Sequence, residues 1–229
     1  MPNSNSPDDS SNHRQRLRQR MLEGGDDAFA DYELLEYVLA LAVPRRDMKP
    51  LAKALIRQFG TFGAVISADP DDLRRVDGVG DAIIAILKFV RAASVRLLRG
   101  KIATRPVLGN WQAVEEYLTA QMAHNPREEF RVLALDGKNV LLRDAKMSEG
   151  TVNETSVHVR EVIKMALHLG ATSIILVHNH PSGDSSPSRD DIAITARISD
   201  ICLALDIRLH DHIIVAKAGN ASFKALGLL

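Results

Sequence analysis

A buried strand, a polar loop and a helix follow one another between Ile174 and Ile198, and this order constrains the fold more than any other stretch of the chain. The apolar residues before His178 predict the strand, and because side chains alternate along a strand, His178 and His180 lie on the same side. Proline and glycine residues predict the loop, after which the helix turns Asp191 back toward the histidines. Two imidazoles and a carboxylate therefore converge, as in a metal site.

Two nitrogen donors and one carboxylate form a ligand set that zinc favours. Three protein ligands leave a fourth position for water, and a bound zinc lowers the pKa of that water from near 15.7 to about 7. A simpler interpretation exists, because Ser188-x-x-Asp191 is also a helix capping box and a His-x-His pair also occurs on polar surfaces. The two roles are compatible, since Ser188 can cap the helix while Asp191 binds a metal.

The spacing of these residues resembles a known motif. His-x-His, seven further residues and then Ser-x-x-Asp are together similar to the JAMM motif of MPN/JAB metalloproteases. The longer string from His178 to Asp184, with residues 159–162 before it and 211–215 after it, resembles the bacterial RadC family (UPF0758) in particular. This resemblance extends from about residue 25 to the C-terminus.

The resemblance implies a zinc ion held by His178, His180 and Asp191. Ser188 is then expected to help stabilise the oxyanion that develops during the reaction. The family pattern also includes a glutamate, one variable residue and an aromatic residue on an upstream strand. Glu128 matches that spacing, so we assign it as the general base.

Two other glutamates compete with Glu128 for this role. Glu128 and Glu129 face opposite sides of the predicted strand, so only one of them can reach a water on a given face. We take Glu128 first and Glu129 second, with Glu149, at a strand end near a turn, third. Without the resemblance, a glutamate that begins a strand is usually a solvated edge residue.

A second histidine pair, His210 and His212, alternates on a later predicted strand, but no further ligand follows it at a suitable spacing. The resemblance includes Asp211 and His212, so one of them is a candidate for orienting the metal ligands, and a packed, hydrogen-bonded histidine is the alternative. The single cysteine, Cys202, lies on an apolar helical face and is expected to be a small buried hydrophobic residue. One cysteine also excludes an intramolecular disulfide.

The composition indicates a globular protein without a membrane span. Of the 229 residues 45% are hydrophobic and 25% are charged, and no apolar run approaches the ~20 residues of a transmembrane helix. The polar start lacks the apolar segment of a signal peptide, so we predict a disordered tail over residues 1–20 and a cytoplasmic location. The length accommodates two domains, which a change in composition along the chain supports.

Residues 21–100 show helical apolar periodicity and no convincing strand, which predicts an all-helical first domain. Within it, Leu73–Lys88 resembles a helix-hairpin-helix. In that motif the hairpin glycines, here Gly78 and Gly80, let the backbone approach a phosphate, and the start of the next helix supplies free N–H groups. The segment therefore predicts contact with DNA.

Such contact would be independent of base sequence and sensitive to salt, with Arg74, Arg75 and Lys88 close to phosphates. Between residues 44 and 101, twelve Lys and Arg stand against six Asp and Glu, a local excess of six positive charges on a chain of zero net charge. The alternative is that the glycines only let two helices pack closely, and two aspartates beside them place negative charge near the expected phosphate.

The second domain, residues 107–229, is predicted to be an MPN/JAB (JAMM) domain, a mixed sheet flanked by helices. A helix over Trp111–Met122 precedes a hairpin that turns at residues 136–139. A helix from about residue 159, the strand with the two histidines, the Asp191 helix and the His212 strand follow. The whole chain is thus expected to be α+β, with a helical first domain.

These features predict a zinc-dependent hydrolase that cleaves a peptide or isopeptide bond in a peptide or protein substrate. Glu128 is expected to take a proton from the zinc-bound water and deliver it to the leaving amine. One alternative is a DNA-binding accessory protein of repair or recombination, with a structural or vestigial zinc. Another is a metal-dependent nuclease, although phosphoryl transfer commonly uses two metals about 3.5–4 Å apart and this ligand set supplies one.

Overall fold

The computed structural model describes residues 7–24, 28–150 and 157–229. The chain divides into two compact units, Met1–Ala92 and Ala93–Leu229, and each is described by itself. Within the described ranges, none of the helices combines the length and the apolar character that crossing a membrane requires.

The regular secondary structure described in unit 1 consists of helices, as its apolar periodicity predicts. The helices close a core around Leu35, Leu39, Leu55, Leu73 and Leu87, all of which are shielded from solvent. Because burying one leucine side chain contributes about 1.5–3 kcal/mol, this core holds the short helices together. The helices are α1 (Pro7–Glu23), α2 (Asp31–Ala42), α3 (Lys49–Phe59), α4 (Phe62–Ser67), α5 (Pro70–Arg74) and α6 (Asp81–Ala103), which continues into unit 2.

Helix α1 corrects the predicted tail of residues 1–20. The chain is helical from Pro7 to Glu23, and residues 1–6 lie outside the described residues. Leu17 is 2% exposed, and Arg20 pairs with Glu33 of α2 across 3.0 Å between Nη1 and Oε1. The polar composition misleads here because tertiary contacts, among them this buried leucine and this ion pair, support the helix.

Unit 2 is a mixed sheet between two helical layers, which confirms the predicted fold. The strand order is β2-β1-β3-β4-β5; β1 is antiparallel to β2 and β3, β3 is parallel to β4, and β5 is antiparallel to β4. Its elements are a 3-10 helix (Val107–Asn110), α7 (Trp111–Met122), β1 (Glu129–Leu135), β2 (Leu141–Glu149), α8 (Val159–His168), β3 (Ser173–Asn179), α9 (Arg189–Ala204), β4 (Arg208–Val215) and β5 (Ala221–Ser222).

Strand β3 lies at the centre of this sheet, and all seven of its residues are buried. Because side chains alternate, Ile175 and Val177 join the core that includes α7, whereas Ile174 and Leu176 join the core that includes α8 and α9. An uninterrupted apolar run is the expected sequence of a strand that is covered on both faces.

The boundary between the units differs from the predicted one. The sequence predicts domains over residues 21–100 and 107–229, whereas α6 continues through Gly100 to Ala103 and the units divide after Ala92. Ile102 is 1% exposed and belongs to the core of unit 2. The last turn of α6 persists because this buried side chain anchors it against the cost of a helical glycine, about 1 kcal/mol.

Three segments meet at one end of the sheet. The antiparallel register of β1 and β3 sets Phe130 opposite His178, so the start of β1 adjoins the end of β3. Helix α9 begins after the loop that follows β3, with Ser188 as its N-cap. Residues that are far apart in the chain therefore come together at this end.

Candidate metal centre

Two imidazoles face each other at the end of β3. The Nε2 atoms of His178 and His180 lie 2.9 Å apart. His178 is buried within the strand, and His180 extends the sheet by donating its backbone N–H to the carbonyl of Val215 at 3.0 Å. The backbone pairing thus fixes both histidines on the side that strand alternation predicts.

Asp191 reaches the histidines from the first turn of α9. Its Oδ1 lies 3.1 Å from His178 Nε2, and its Oδ2 lies 3.5 Å from His180 Nε2. Ser188 holds the carboxylate in place, because its N–H and its hydroxyl both donate to Asp191 Oδ2, at 2.8 and 2.6 Å. In return the Asp191 N–H donates to the Ser188 hydroxyl at 3.1 Å. The capping box and the approach to the histidines therefore coexist.

A backbone carbonyl sets the tautomer of His180. Its Nδ1 lies 2.8 Å from the carbonyl oxygen of Asp184, which can only accept a hydrogen bond. Nδ1 therefore carries the proton of the neutral ring, and the Nε2 lone pair is left toward His178 and Asp191. This is the arrangement in which histidine binds a metal.

Glu128 stands beside the histidines, just before β1. One ligand atom each from Glu128, His178 and His180 lie within 4.8 Å of one another, a spacing that can hold a metal ion. Burial raises the pKa of the Glu128 carboxyl, while His178 and His180 lower it and Asp191 raises it again. The net upward direction favours a carboxylate that accepts and releases a proton.

The other two glutamate candidates are engaged elsewhere. Glu129 is 5% exposed and pairs with Arg131, and its Oε2 accepts a hydrogen bond from Asn125 at 3.1 Å. Glu149 pairs with Lys146 and with Arg127, the latter across 3.6 Å, and these partners lower its pKa. Of the three, Glu128 is the glutamate that the structure brings into the histidine cluster.

Asn179 is a residue of the site that sequence reasoning missed. It is 1% exposed, and its side-chain oxygen accepts a hydrogen bond from the N–H of Glu129 at 2.9 Å. Its side-chain nitrogen donates to the carbonyls of Arg127 at 3.1 Å and Asn125 at 3.3 Å. Alternation places Asn179 away from the histidines, but no sequence signal indicates that it anchors the segment carrying Glu128.

The electrostatics of the cluster suit a bound cation. Burial raises the pKa of Asp191, but hydrogen bonds with His178 and His180 lower it more, so the carboxyl stays ionised. The hydrogen bond with Asp191 raises the pKa of His180 against the effect of burial. Two ring nitrogens 2.9 Å apart need either a hydrogen or a metal ion between them. Two imidazoles and a carboxylate are donors that zinc favours, so the residues fit this metal.

The two histidines of the second pair, His210 and His212, make different contacts. His212 is fully buried, and its Nε2 lies 2.8 Å from His178 Nδ1. His210 instead contacts the side-chain oxygen of Asn139 at 2.7 Å, and burial lowers its pKa. Cys202 is buried as expected, and burial raises the pKa of its thiol to about 11.

In unit 1 the predicted nucleic-acid residues have partners of their own. Arg74 pairs with Asp71 at 2.8 Å and with Asp81 at 3.3 Å, and Arg75 pairs with Asp72 at 2.7 Å. Lys88, half-buried, donates to the carbonyl of Ala68, and burial lowers its pKa. The structure therefore does not bring these three cations together as one free basic cluster.

The turn at Gly78 has a left-handed backbone conformation. Gly78 has φ +86°, a left-handed conformation that favours glycine, whereas a Cβ on Gly80 would meet open space. A Cβ on Gly78 would lie 2.9 Å from Nη2 of Arg46, an exposed residue that precedes α3. Sequence reasoning missed Arg46 because 32 residues separate it from Gly78 in the chain.

Comparison with known proteins agrees with this fold. The family described as the RadC-like JAB domain matches residues 108–228, more than half of the chain. A mixed sheet with a Glu-His-His cluster at one end is thus the JAB class of domain. The chain belongs to the RadC-like JAB domain family, as the motif resemblance implies.

Two relatives match nearly the whole chain. A UPF0758 protein of Rhodobacter capsulatus is 51% identical over 213 residues, which cover 93% of this chain and 100% of that protein. A UPF0758 protein of Ruegeria pomeroyi is 48% identical over 217 residues, covering 95% of this chain and 97% of that protein. The similarity therefore includes unit 1 as well as the JAB domain.

Proposed function

We propose that this protein is a zinc-dependent hydrolase of peptide or isopeptide bonds. His178, His180 and Asp191 are its zinc ligands, and Glu128 is its general base. The observation that carries the proposal is the convergence of both Nε2 atoms on the Asp191 carboxylate, at 3.1 and 3.5 Å, with Glu128 beside them.

Asp191 and Glu128 divide the two carboxylate roles between them. Asp191 contacts both imidazoles directly, and two hydrogen bonds from Ser188 hold it there. Its pKa is lowered, which suits a ligand that stays ionised. The pKa of Glu128 is raised, which suits a group that accepts and returns a proton. Carboxylates in unlike environments commonly take unlike roles in this way.

Each residue then has a task in hydrolysis. When bound, zinc would polarise the substrate carbonyl and make water a stronger nucleophile at neutral pH. Glu128 accepts a proton as the water oxygen bonds to the carbonyl carbon, and it returns the proton to the nitrogen as the C–N bond breaks. Ser188 can turn its hydroxyl toward the developing oxyanion, since its N–H still holds Asp191 at 2.8 Å.

The number of metal clusters favours an amide bond over a phosphodiester. Phosphoryl transfer commonly uses two metals about 3.5–4 Å apart. Over residues 7–24, 28–150 and 157–229, one group of metal-binding side chains has the required spacing, and it contains Glu128 and the two histidines. A nuclease is therefore the less supported alternative.

The proposal is tested by the metal content and the activity of the purified chain. Elemental mass spectrometry is expected to find about one zinc per chain in the wild type and little in His178→Ala or Asp191→Ala. The zinc-loaded wild type is expected to cleave members of a panel of internally quenched peptides and isopeptide-linked peptides. A wild type that binds no zinc, or that binds zinc and cleaves none of the panel, contradicts the proposal.

A second function, contact with the DNA backbone, is favoured by one observation in unit 1. We propose that the helix-hairpin-helix turn at Gly78 approaches a phosphate, because its left-handed backbone lies against the guanidinium of Arg46. Arg46 is exposed and has no ion pair among the residues the structure describes. This makes it a better candidate for a phosphate contact than the paired Arg74 or Arg75.

A further inference from the structure

A chain of buried hydrogen bonds runs from α9 through β4 to the metal-binding end of β3. His212 lies at its middle and is fully buried. The His212 Nε2 lies 2.8 Å from His178 Nδ1, and the His212 Nδ1 contacts the hydroxyl oxygen of Thr195, which is also buried. His212 therefore contacts the proposed ligand His178, and Thr195 contacts His212 from the other side.

The hydroxyl of Thr195 fixes the direction of this chain. Thr195 donates its one proton to the backbone carbonyl of Asp191, one turn earlier in α9. Its oxygen can then only accept, so His212 Nδ1 must be the donor. Because a neutral imidazole has one donor and one acceptor, His212 Nε2 accepts a proton from His178 Nδ1. Full burial against the rings of Phe130 and Phe223 favours the neutral form of His212.

We infer that Thr195 and His212 are positioning residues that lock His178 in its Nδ1-protonated tautomer and so aim its Nε2 lone pair at the metal. The inference rests on the proposed zinc site. It adds that Thr195 also serves Asp191, whose carbonyl it holds, so a single hydroxyl connects a strand ligand to a helix ligand. Groups of this kind fix ring orientation and ligand basicity in metal sites.

Aromatic packing keeps His212 in the orientation that this role needs. The ring of Phe223 stacks on it at 4.6 Å between centroids, and Phe130 meets it edge-on at 5.7 Å. A flipped ring would turn carbon atoms toward both Thr195 and His178 and leave their polar groups without partners. An unpaired buried polar group costs about 1–3 kcal/mol, so packing and hydrogen bonding favour the same orientation.

The wild-type protein provides the first test. In the metal-free, 15N-labelled chain, two-bond 1H–15N correlation spectra distinguish protonated from bare ring nitrogens. We expect Nδ1 to be protonated in both His178 and His212, and we expect Nε2 of His212 to be bare. A bare Nδ1 on His178, or a protonated Nε2 on His212, overturns the inference without any variant.

Thr195→Val and Thr195→Ser form a matched pair of variants. Valine removes the acceptor, so the His212 proton is expected to move to Nε2 and to drive the His178 proton onto its own Nε2, where it opposes the metal. Zinc affinity, measured by competition with a chelator, should fall about 10- to 100-fold. Serine keeps the hydroxyl and should restore both the wild-type ring signals and the affinity.

A purely structural role for Thr195 gives a different result. It would lower thermal stability in the valine variant while leaving the His178 ring signals and the zinc affinity as in the wild type, and that outcome overturns the inference. Failure of the proposed function is seen separately. A wild type without bound zinc contradicts the metal site, whereas the tautomers are measured in metal-free protein.

Discussion

The side-chain oxygen of Asn179 accepts a hydrogen bond of 2.9 Å from the backbone N–H of Glu129, which joins the end of β3 to the start of β1. The same amide donates to the carbonyls of Arg127 and Asn125. Glu128 lies between two of these anchored residues. Its place beside the histidines therefore depends on a side chain on the opposite face of the strand.

Asn179→Ala is expected to displace Glu128 while keeping the zinc ligands. Without the amide, buried backbone groups lose their partners, at a cost of about 1–3 kcal/mol in the free energy of unfolding. We expect kcat to fall at least about 10-fold with zinc content unchanged, since misplacing a catalytic group by 1 Å can cost about 100-fold. Ser173→Ala, at the other end of β3, is the control and should leave kcat unchanged. Unaltered kcat in Asn179→Ala would argue against this anchoring role.

Glu128→Gln is expected to separate metal binding from catalysis. The amide is similar in size but cannot act as a base, so activity should fall about 100- to 10,000-fold while about one zinc per chain remains. Glu149→Gln, which alters an ion-paired glutamate outside the cluster, should retain activity. If the Glu128 variant instead loses its zinc, Glu128 is a ligand, and the roles of the two carboxylates must be exchanged.

The attachment of α1 to α2 is expected to weaken in acid. The hydrogen bond from Arg20 lowers the pKa of Glu33 below its usual value. The pair therefore stabilises unit 1 above the unfolded pKa of Glu33, and this contribution is lost as pH falls through the lowered, folded pKa. Because Arg20 is exposed, solvent screens the pair and its contribution is small.

Hydrogen exchange of the α1 amides measures this effect. Between neutral pH and pH 3, after correction for intrinsic exchange rates, protection of α1 should decrease in the wild type. Glu33→Gln should show, at both pH values, the weaker protection that the wild type shows only at pH 3. Equal protection of wild type and variant at neutral pH would mean that the ion pair does not hold the helix.

Gly78→Val and Arg46→Gln are expected to weaken binding to duplex DNA without changing zinc content. Valine is strained at φ +86° and meets the Arg46 guanidinium, whereas Gly100→Ala, outside the hairpin, has open space and serves as the control. If Arg46 contacts a phosphate, its variant should also reduce the slope of log affinity against log salt by about 1. Fluorescence anisotropy with a labelled duplex checks both. If Gly78→Val and Arg46→Gln both bind duplex DNA with wild-type affinity, the turn at Gly78 is not a DNA-binding element.

The sequence was sufficient for features that depend on local pattern. The apolar run before His178, the helix Trp111–Met122 and the capping box at Ser188 all form where periodicity and capping predict them. What it could not provide depends on tertiary contacts. The folding of α1, the anchoring role of Asn179 and the pairing of Arg74 with Asp81 join residues whose proximity no local pattern encodes.

Because β3 lies at the centre of the sheet, the segments that carry the proposed ligands are expected to open at different rates. Its strand neighbours and the two helical layers make β3 one of the last segments to open, so the histidine at its end stays in place unless unit 2 unfolds. Asp191 lies in the first turn of a helix, where fraying is easiest. Release and uptake of a metal are therefore expected to follow the opening of the first turn of α9, while β3 stays folded.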